Sequence, residues 1–289
     1  MKPSPYPNDE YTLMVAMAML DKEHGRPQST PRDDTNAYHL GRIGEHNVAM
    51  ACLSRGQMGT GPAAIVAENM RRTFKNIRFT LLAGIGGGVR YPSGTYTGIV
   101  QYDYGKLKSK GHVQRKDWFC APLRKVLAAV DLLRAYHTRP KEPIINMLGI
   151  IDELGEEYAY PEEQMGHDVL YQADYEHDPE AETCVSCDRK ALVPRKTRKL
   201  LYKPYVYYGI IASGNMVIKS GSERDRIDQR YENSILTTAI HKNDQWQKRA
   251  IAVASAYAKE LLLQIEPSDV EVLNSIVARV LDTGILLHH

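Results

Sequence analysis

The fold of this chain is decided by one stretch, Ile77-Arg78-Phe79-Thr80-Leu81-Leu82-Ala83-Gly84-Ile85-Gly86-Gly87-Gly88-Val89, in which an apolar run ends in four glycines within five residues. An apolar run of this length, bounded by breakers, predicts a strand buried on both faces. The glycines allow a sharp turn and a close approach of backbone N–H groups to a ligand, and a tight turn without a ligand explains them equally well. The dinucleotide-binding spacing G-x-G-x-x-G is not met, because Val89 stands where the last glycine is needed.

A second apolar stretch, residues 206–215, ends in the small polar residues Ser213, Gly214 and Asn215. It predicts a second buried strand whose end offers a hydroxyl, an amide and backbone groups. We expect the two strand ends, around Ala83 and Ala212, to lie next to each other and to line one pocket. A strand end that is satisfied by its own backbone is the alternative.

The elements around these two strands follow from hydrophobic periodicity and turn residues. A hairpin is predicted over 38–53 around Gly44, followed by a helix over 61–74 with a stripe of Ala63, Ala64, Val66, Ala67 and Met70. Strand, helix and glycine-ended strand in this order predict a parallel crossover. The remaining predictions are a strand over 98–105, a long loop over 155–200, and helices over 13–20, 122–136, 144–154, 219–234, 243–263 and 270–281.

Composition excludes several classes of function. The chain has 289 residues and a net charge of +2, so there is no electrostatic case for a nucleic-acid or membrane partner. No apolar run approaches the ~20 residues of a membrane-spanning helix. Four cysteines in this length indicate reduced thiols and predict a cytoplasmic protein.

Cys184 and Cys187 form a single C-x-x-C pair, a spacing that could begin a zinc site. His167 and His177 could complete a zinc site, but a second spaced cysteine pair is missing from the sequence. We therefore expect no metal, with zinc at Cys184 and Cys187 as the alternative to a packed or solvated loop.

Five blocks of this sequence together resemble a known family; they are residues 82–89, 98–106, 184–188, 209–215 and 241–262. They look like the nucleoside phosphorylase-like domain of filamentous fungi, in the purine and uridine phosphorylase superfamily. This domain often stands at the N-terminus of multidomain proteins built like NLR immune receptors. The resemblance covers most of residues 11–265. Residues 1–10 are expected to be a disordered leader, and residues 266–289 a C-terminal helix that could begin a lost downstream module.

The resemblance implies an α/β fold, a three-layer α/β/α sandwich around a central twisted mixed sheet. Enzymes of the family cleave the N-glycosidic bond of a purine or pyrimidine nucleoside, with phosphate or water as nucleophile and without a metal or organic cofactor. They are usually homo-oligomers. The phosphate and ribose side would be formed by Gly84, Ile85, Gly86 and Gly87. The base side would be formed by Ser213, Gly214 and Asn215.

Three pieces that the family usually carries are absent from this sequence. Tyr11-Thr12 runs directly into the helix-forming segment, where the family has its first strand and an acidic loop. Tyr91-Pro92-Ser93-Gly94 joins the next block directly, where the family has a further strand. Between Ile227 and His241 the family carries a Met-Glu pair for the ribose and an Asp for the base. This chain has no Met-Glu dipeptide, and the Asp slot falls at Leu236.

The missing pieces, each about a strand long, look like exons dropped from the reading frame, and they predict weak or absent catalysis. Two function classes therefore remain open. The first is an impaired enzyme of nucleoside metabolism, a pentosyltransferase of the nucleoside phosphorylase type or a nucleosidase, with inorganic phosphate as a co-substrate. The second is a non-catalytic domain that senses nucleosides or binds partners within an NLR-like receptor.

Overall fold

The structure is a computed structural model, and it describes residues 9–54, 56–84, 87–88, 98–108, 113–115, 123–139, 145–159, 170–176, 186–194, 204, 206, 208, 210–216, 218, 220–230, 235–238, 244–267 and 280–282. In chain order the helices and strands are α1 (Asp9–Ala18), β1 (Lys22–Gly25), β2 (His39–Ile43), β3 (His46–Met50), α2 (Thr60–Thr73), β4 (Thr80–Leu82), β5 (Gly87–Gly88), β6 (Gly98–Gln101), β7 (Gly105–Leu107), β8 (Val113–Arg115), α3 (Arg124–Thr138), α4 (Ile145–Glu153), β9 (Ile210–Ser213), α5 (Gly221–Arg230), β10 (Ile235–Thr238), α6 (Asp244–Leu263) and β11 (Val280–Asp282).

The chain divides into two compact units. The first unit comprises Met1–Gly84, Pro122–Ala159 and Ile251–Thr283. The second unit comprises Ile85–Ala121, Tyr160–Ala250 and Gly284–His289. Among the helices that the structure describes, none combines the length and the apolarity needed to cross a membrane.

The first unit contains a three-stranded antiparallel sheet in the order β1-β2-β3. The predicted hairpin is confirmed, with Ile43 opposite His46 and with Gly44 at a positive φ of 55° in the turn. The N–H of Gly44 donates to Asp21 Oδ2 over 2.7 Å, which holds the turn against the preceding chain. Strand β1 was not predicted, because its sequence Lys-Glu-His-Gly lacks the apolar alternation that marks a strand.

The core of the first unit is built on α6, which was predicted as the helix over 243–263 and is confirmed as Asp244–Leu263. Its side chains at Ala252, Val253, Ala256, Tyr257 and Leu261 have no exposed surface. Burying a Val or Leu side chain contributes about 1.5–3 kcal/mol, so this helix is a main source of stability.

The helices predicted over 122–136 and 144–154 are confirmed as α3 and α4. Helix α2 is confirmed as well, but its predicted apolar stripe is only half right. Ala63 and Ala64 are exposed, and the buried side chain of α2 is Asn69. The leader predicted over 1–10 lies outside the described residues except for Asp9 and Glu10, which begin α1.

The glycine-ended strand is shorter and less buried than predicted. Strand β4 has only three residues, and Leu82 is 49% exposed. The predicted crossover is wrong, because β4 pairs in parallel with β11 rather than with β3. The helix predicted over 270–281 is wrong at Val280 and Leu281, which lie in β11; the rest of that range lies outside the described residues. The pairing of these residues with β4 outweighs their local helical pattern.

The second unit contains a four-stranded mixed sheet in the order β5-β10-β9-β6. Strands β10, β9 and β6 run parallel, and β5 runs antiparallel to β10. The strands predicted over 206–215 and 98–105 are confirmed as β9 and β6, and the helix predicted within 219–234 is confirmed as α5. The α/β class and the mixed sheet agree with the sequence. A small core supports the sheet, formed by Val100, Tyr102, Ala212, Ile218 and Ile227.

Candidate functional site

The candidate site lies at the carboxyl ends of the parallel strands β6, β9 and β10 in the second unit's sheet. This side of the sheet is here called the edge. Gly87 pairs with Thr238 at the end of β10, so the glycine pair of β5 lies at the same edge. Gly87 and Ser213 are therefore two strand spacings apart, about 10 Å. Open α/β sheets bind their ligands at this edge.

A polar cluster joins the ends of β6 and β9. Gln101 pairs with Ser213 in the sheet register, so the residues that follow these two strands meet. Asp103 Oδ2 accepts hydrogen bonds from the backbone N–H of Asn215 over 2.8 Å and from its Nδ2 over 2.9 Å. The other oxygen, Oδ1, accepts from Nε2 of Gln101 over 2.8 Å.

The charge of Asp103 is set by this cluster. Partial burial by itself raises the pKa of Asp103, but the hydrogen bonds from Asn215 and Gln101 outweigh burial and hold the pKa below its ordinary value. The carboxylate is therefore ionised at neutral pH and presents a negative charge at the edge of the sheet.

Tyr102 also contacts the residues that follow β9, through its backbone and its side chain. Its backbone N–H donates to the carbonyl of Ser213 over 2.9 Å, and its hydroxyl donates to the carbonyl of Met216 over 2.6 Å. Its ring fills the space where a side chain on Gly214 would lie. The dipeptide Tyr102-Asp103 thus fixes residues 213–216, here called the 213–216 turn, at three backbone atoms.

Comparison with known proteins was made by sequence and by structure. No model of a known protein family matches the chain. A relative described as a nucleotide-binding leucine-rich repeat (NLR)-like protein of Hyaloscypha variabilis is 38% identical over 292 residues. The match covers 88% of this chain, and the chain spans only 28% of the length of that relative.

Two solved structures were found to be similar to this chain. The first is assigned as a 5'-methylthioadenosine/S-adenosylhomocysteine nucleosidase from Borrelia burgdorferi bound to adenine, and it matches with a TM-score of 0.52 at 13% identity. That match covers 89% of this chain and 97% of the other. This chain has the nucleosidase fold. The second is the corresponding nucleosidase of Neisseria meningitidis with methylthio-immucillin-A, at a TM-score of 0.49 and 12% identity over 88% and 94% of the two chains.

The Borrelia match confirms the predicted nucleoside phosphorylase-like fold, and the Hyaloscypha match shows the predicted similarity to an NLR-like protein. The identities of the structural matches are low, so they establish the architecture and leave the chemistry of this chain to its own residues.

Within the nucleosidase fold, the structure brings together part of the predicted site. Ser213, Gly214 and Asn215 lie at the same edge as Gly87. Gly84 follows β4 in the first unit, and Ile85 and Gly86 lie outside the described residues. The binding roles predicted for Gly84, Ile85, Gly86, Gly87, Ser213, Gly214 and Asn215 therefore stay predictions.

The strand ends at Ala83 and Ala212 belong to two different sheets, and the pocket that they are expected to share stays a prediction. Strand β4 belongs to the sheet with β11, whereas β9 lies between β10 and β6. The short pair Gly87–Gly88 lies in the sheet of β9 instead.

Tyr102 and Asp103 were not predicted as site residues. The sequence predicts them only as part of a strand that runs into a turn, without a role in ligand binding. A carboxylate directly after a strand was the available signal, since such residues lie at the edge that binds ligands. The register of β6 with β9, which makes the contact with Asn215, could not be read from either strand alone.

A zinc site at Cys184 and Cys187 stays a prediction. Cys187 is buried with a free thiol, while Cys184, His167 and His177 lie outside the described residues. Within the part of the chain that the structure describes, no group of three or more His, Cys, Asp or Glu side chains could hold a metal ion.

Proposed function

We propose that this chain binds a nucleoside at the carboxyl edge of β6, β9 and β10 and cleaves its N-glycosidic bond weakly or not at all. The observation that carries the proposal is the 213–216 turn, held by Tyr102 and Asp103 at the edge that contains Gly87. A related fold occurs in the Borrelia protein that was crystallised with adenine, which supports a base as one part of the ligand.

The residues at this edge suit the two ends of a nucleoside. The hydroxyl of Ser213, the amide of Asn215 and nearby backbone groups can form hydrogen bonds to a polar heterocycle. A glycine has no side chain that would keep a ligand from its backbone N–H, so Gly87 at this edge suits a ribose or an inorganic phosphate, and from the sequence we propose the same role for Gly84, Ile85 and Gly86. We propose inorganic phosphate as the co-substrate of any residual reaction, and no metal or organic cofactor.

Weak catalysis is proposed for a chemical reason. Cleavage develops positive charge on the ribose and negative charge on the departing base, so it needs a carboxylate near the sugar and a proton donor near the base. Asp103 is ionised at neutral pH and is held by three hydrogen bonds, so it is poorly suited to donate a proton. Loss of one transition-state group commonly lowers the rate ~10²–10³-fold.

A second candidate function is favoured by the NLR-like relative. In this reading the chain is a nucleoside-sensing or interaction domain, and binding rather than turnover is its output. Self-association into a homo-oligomer would fit either candidate. The two candidates differ in one quantity, the rate at which bound nucleoside is converted to free base.

The test combines binding with turnover on the purified full chain. Adenosine and inosine are titrated calorimetrically, and each is then incubated with and without phosphate while free base is measured by chromatography. We expect measurable binding and a base release at least ~10²-fold slower than that of an active nucleosidase of this fold. Turnover at the rate of the active enzyme would refute the impairment, and absence of binding would refute a nucleoside site in either candidate.

A further inference from the structure

We propose that Asp103 is a positioning residue that fixes the orientation of Asn215 and thereby sets how the 213–216 turn meets its ligand. This inference rests on the proposed function, because the ligand of that turn is taken to be a nucleoside. Asp103 lies outside the set of residues that the sequence assigned to the base or to the phosphate.

The contact between Asp103 and Asn215 requires one orientation of the Asn215 side-chain amide. The backbone N–H and the side-chain Nδ2 of Asn215 donate to one and the same oxygen of Asp103, at 2.8 Å and 2.9 Å. Gln101 holds the second oxygen, so the plane of the carboxylate is fixed from both sides. Because Nδ2 donates to Asp103, only one of the two orientations of the Asn215 amide satisfies the contact.

The chemistry of the contact explains why a carboxylate occupies position 103. The donors that contact the Asp103 carboxylate include amides of Asn215 and Gln101 and the backbone N–H of Asp103 itself, and all of these donors are uncharged. Hydrogen bonds to an ionised acceptor are roughly twice as strong as bonds between neutral groups. Two such bonds to Asn215 therefore restrict the turn before a ligand arrives, which lowers the cost of ordering the turn on binding.

Tyr102 and Gly214 complete the positioning device. The hydroxyl of Tyr102 holds the carbonyl of Met216, and its ring lies against Gly214, so the turn is held on both sides of Asn215. Burial raises the pKa of Tyr102. Glu223 on α5 is a further charged group that acts on Tyr102, and it makes a 2.5 Å ion pair with Arg226.

The first experiment is a double-variant cycle on nucleoside binding. Calorimetric titrations with adenosine and inosine compare the full-length wild type with Asp103→Ala, Asn215→Ala and the variant carrying both changes. Each single change is expected to weaken binding on the order of ten-fold, and the combined change to weaken it no further, because Asp103 acts through Asn215. Independent effects that multiply to about a hundred-fold, or an unaffected Asp103→Ala, overturn the proposal.

Matched variants separate positioning from loss of folding. Asp103→Asn keeps the size of the side chain and one oxygen acceptor, and it is expected to bind with an affinity between those of the wild type and Asp103→Ala. Glu68→Gln removes an exposed carboxylate on α2, which pairs with Arg71, and is expected to bind as the wild type does. Equal weakening by Glu68→Gln and Asp103→Asn would overturn the specific role of Asp103.

The second experiment needs no ligand and therefore separates this proposal from the proposed function. The backbone and side-chain amide signals of Asn215 are followed by NMR in the ligand-free full chain as the pH is lowered through the acid range. We expect both signals to move with a carboxyl titration in the wild type and to lose that movement in Asp103→Asn. If the wild type binds neither nucleoside, the proposed function falls. In that case the amide signals of Asn215 still test its contact with Asp103, and identical titrations in the wild type and in Asp103→Asn would overturn that contact.

Discussion

Two aspartates, one in each compact unit, make similar contacts for different ends. Asp21 accepts the N–H of Gly44 over 2.7 Å and the ammonium of Lys259 over 2.7 Å. Asp103 accepts the N–H and the side-chain amide of Asn215 at similar distances. Each carboxylate thus pins one backbone N–H in a turn, and each has a pKa held below its ordinary value.

The difference lies in the charge of the partner and in the position of the turn. Lys259 neutralises Asp21 and ties the hairpin of the first unit to α6, so this contact serves the fold. The amides around Asp103 leave its negative charge in place, at the edge of a sheet where ligands bind. We infer that Asp103 has a binding role, because its ionised carboxylate is held by amides at such an edge. We infer that Asp21 has a structural role, because a cation holds its carboxylate in a contact between a helix and a hairpin.

The largest expected effect breaks a buried polar contact in the first unit. His137 Nε2 and Glu260 Oε2 lie 2.9 Å apart, and each side chain is only 10% exposed. Glu260→Ala takes this partner away from His137 inside the protein, which should lower the free energy of unfolding by up to about 3 kcal/mol. Chemical denaturation measures this value. The matched change Glu260→Gln keeps an acceptor for His137 and should cost less.

If the first unit's contacts are structural, folded Glu260→Ala protein should bind adenosine with the affinity of the wild type. Calorimetry below the unfolding temperature makes this comparison. A large loss of affinity in protein shown to be folded would break the distinction between the two units.

The next effect concerns the turn beside Asp103. A Cβ on Gly214 would overlap the ring of Tyr102, so Gly214→Ala should cost about 1–3 kcal/mol through overpacking and should also weaken nucleoside binding. Calorimetric melting and titration measure the two effects. Gly149→Ala in α4 is the matched control, because its new Cβ meets no atom within 4 Å and a helical Gly→Ala change should be neutral or stabilising. Equal behaviour of the two variants would contradict the packing of Tyr102.

The smallest effect is a pH dependence at Asp21. The hydrogen bond from Lys259, and then that from Gly44, hold the pKa of Asp21 below its ordinary value. A carboxyl group with a lowered pKa in the folded state stabilises the fold above its unfolded pKa and loses this contribution as the pH falls through the folded pKa. Asp21→Asn should therefore melt slightly below the wild type at neutral pH, by an amount equivalent to at most about 1 kcal/mol.

The melting temperatures of Asp21→Asn and the wild type should converge in the acid range below the ordinary pKa of an aspartate, ~3.9. Thermal melts over a pH series provide the measurement. A difference that stays constant at all pH values would show that the charge of Asp21 contributes nothing and that its shape alone matters.

Much of the fold could be predicted because local pattern and final structure agree. The alanine-rich periodicity around Ala252 and Ala256 marked α6, and the Gly44 turn marked the hairpin. Strand β5 could not be predicted, because Gly87 and Gly88 carry no side chains that would indicate a partner. Strand β11 likewise depends on a parallel pairing with a segment far away in sequence.

The site was predictable to a similar degree. Ser213, Gly214 and Asn215 were predicted as site residues because small polar residues follow a buried strand, and the structure places them at the same edge as Gly87. Asp103 was not found, because its role depends on the register that sets Gln101 opposite Ser213. Strand register is a long-range property, and a single strand sequence does not encode its neighbour.

The most direct test of this account is a calorimetric titration of the full chain with adenosine, made in parallel on the wild type and on Asn215→Ala. The account predicts saturable binding by the wild type that is weakened on the order of ten-fold in Asn215→Ala, with the nucleoside recovered intact. Equal binding by both proteins, or no binding by the wild type, would contradict a nucleoside site at the 213–216 turn.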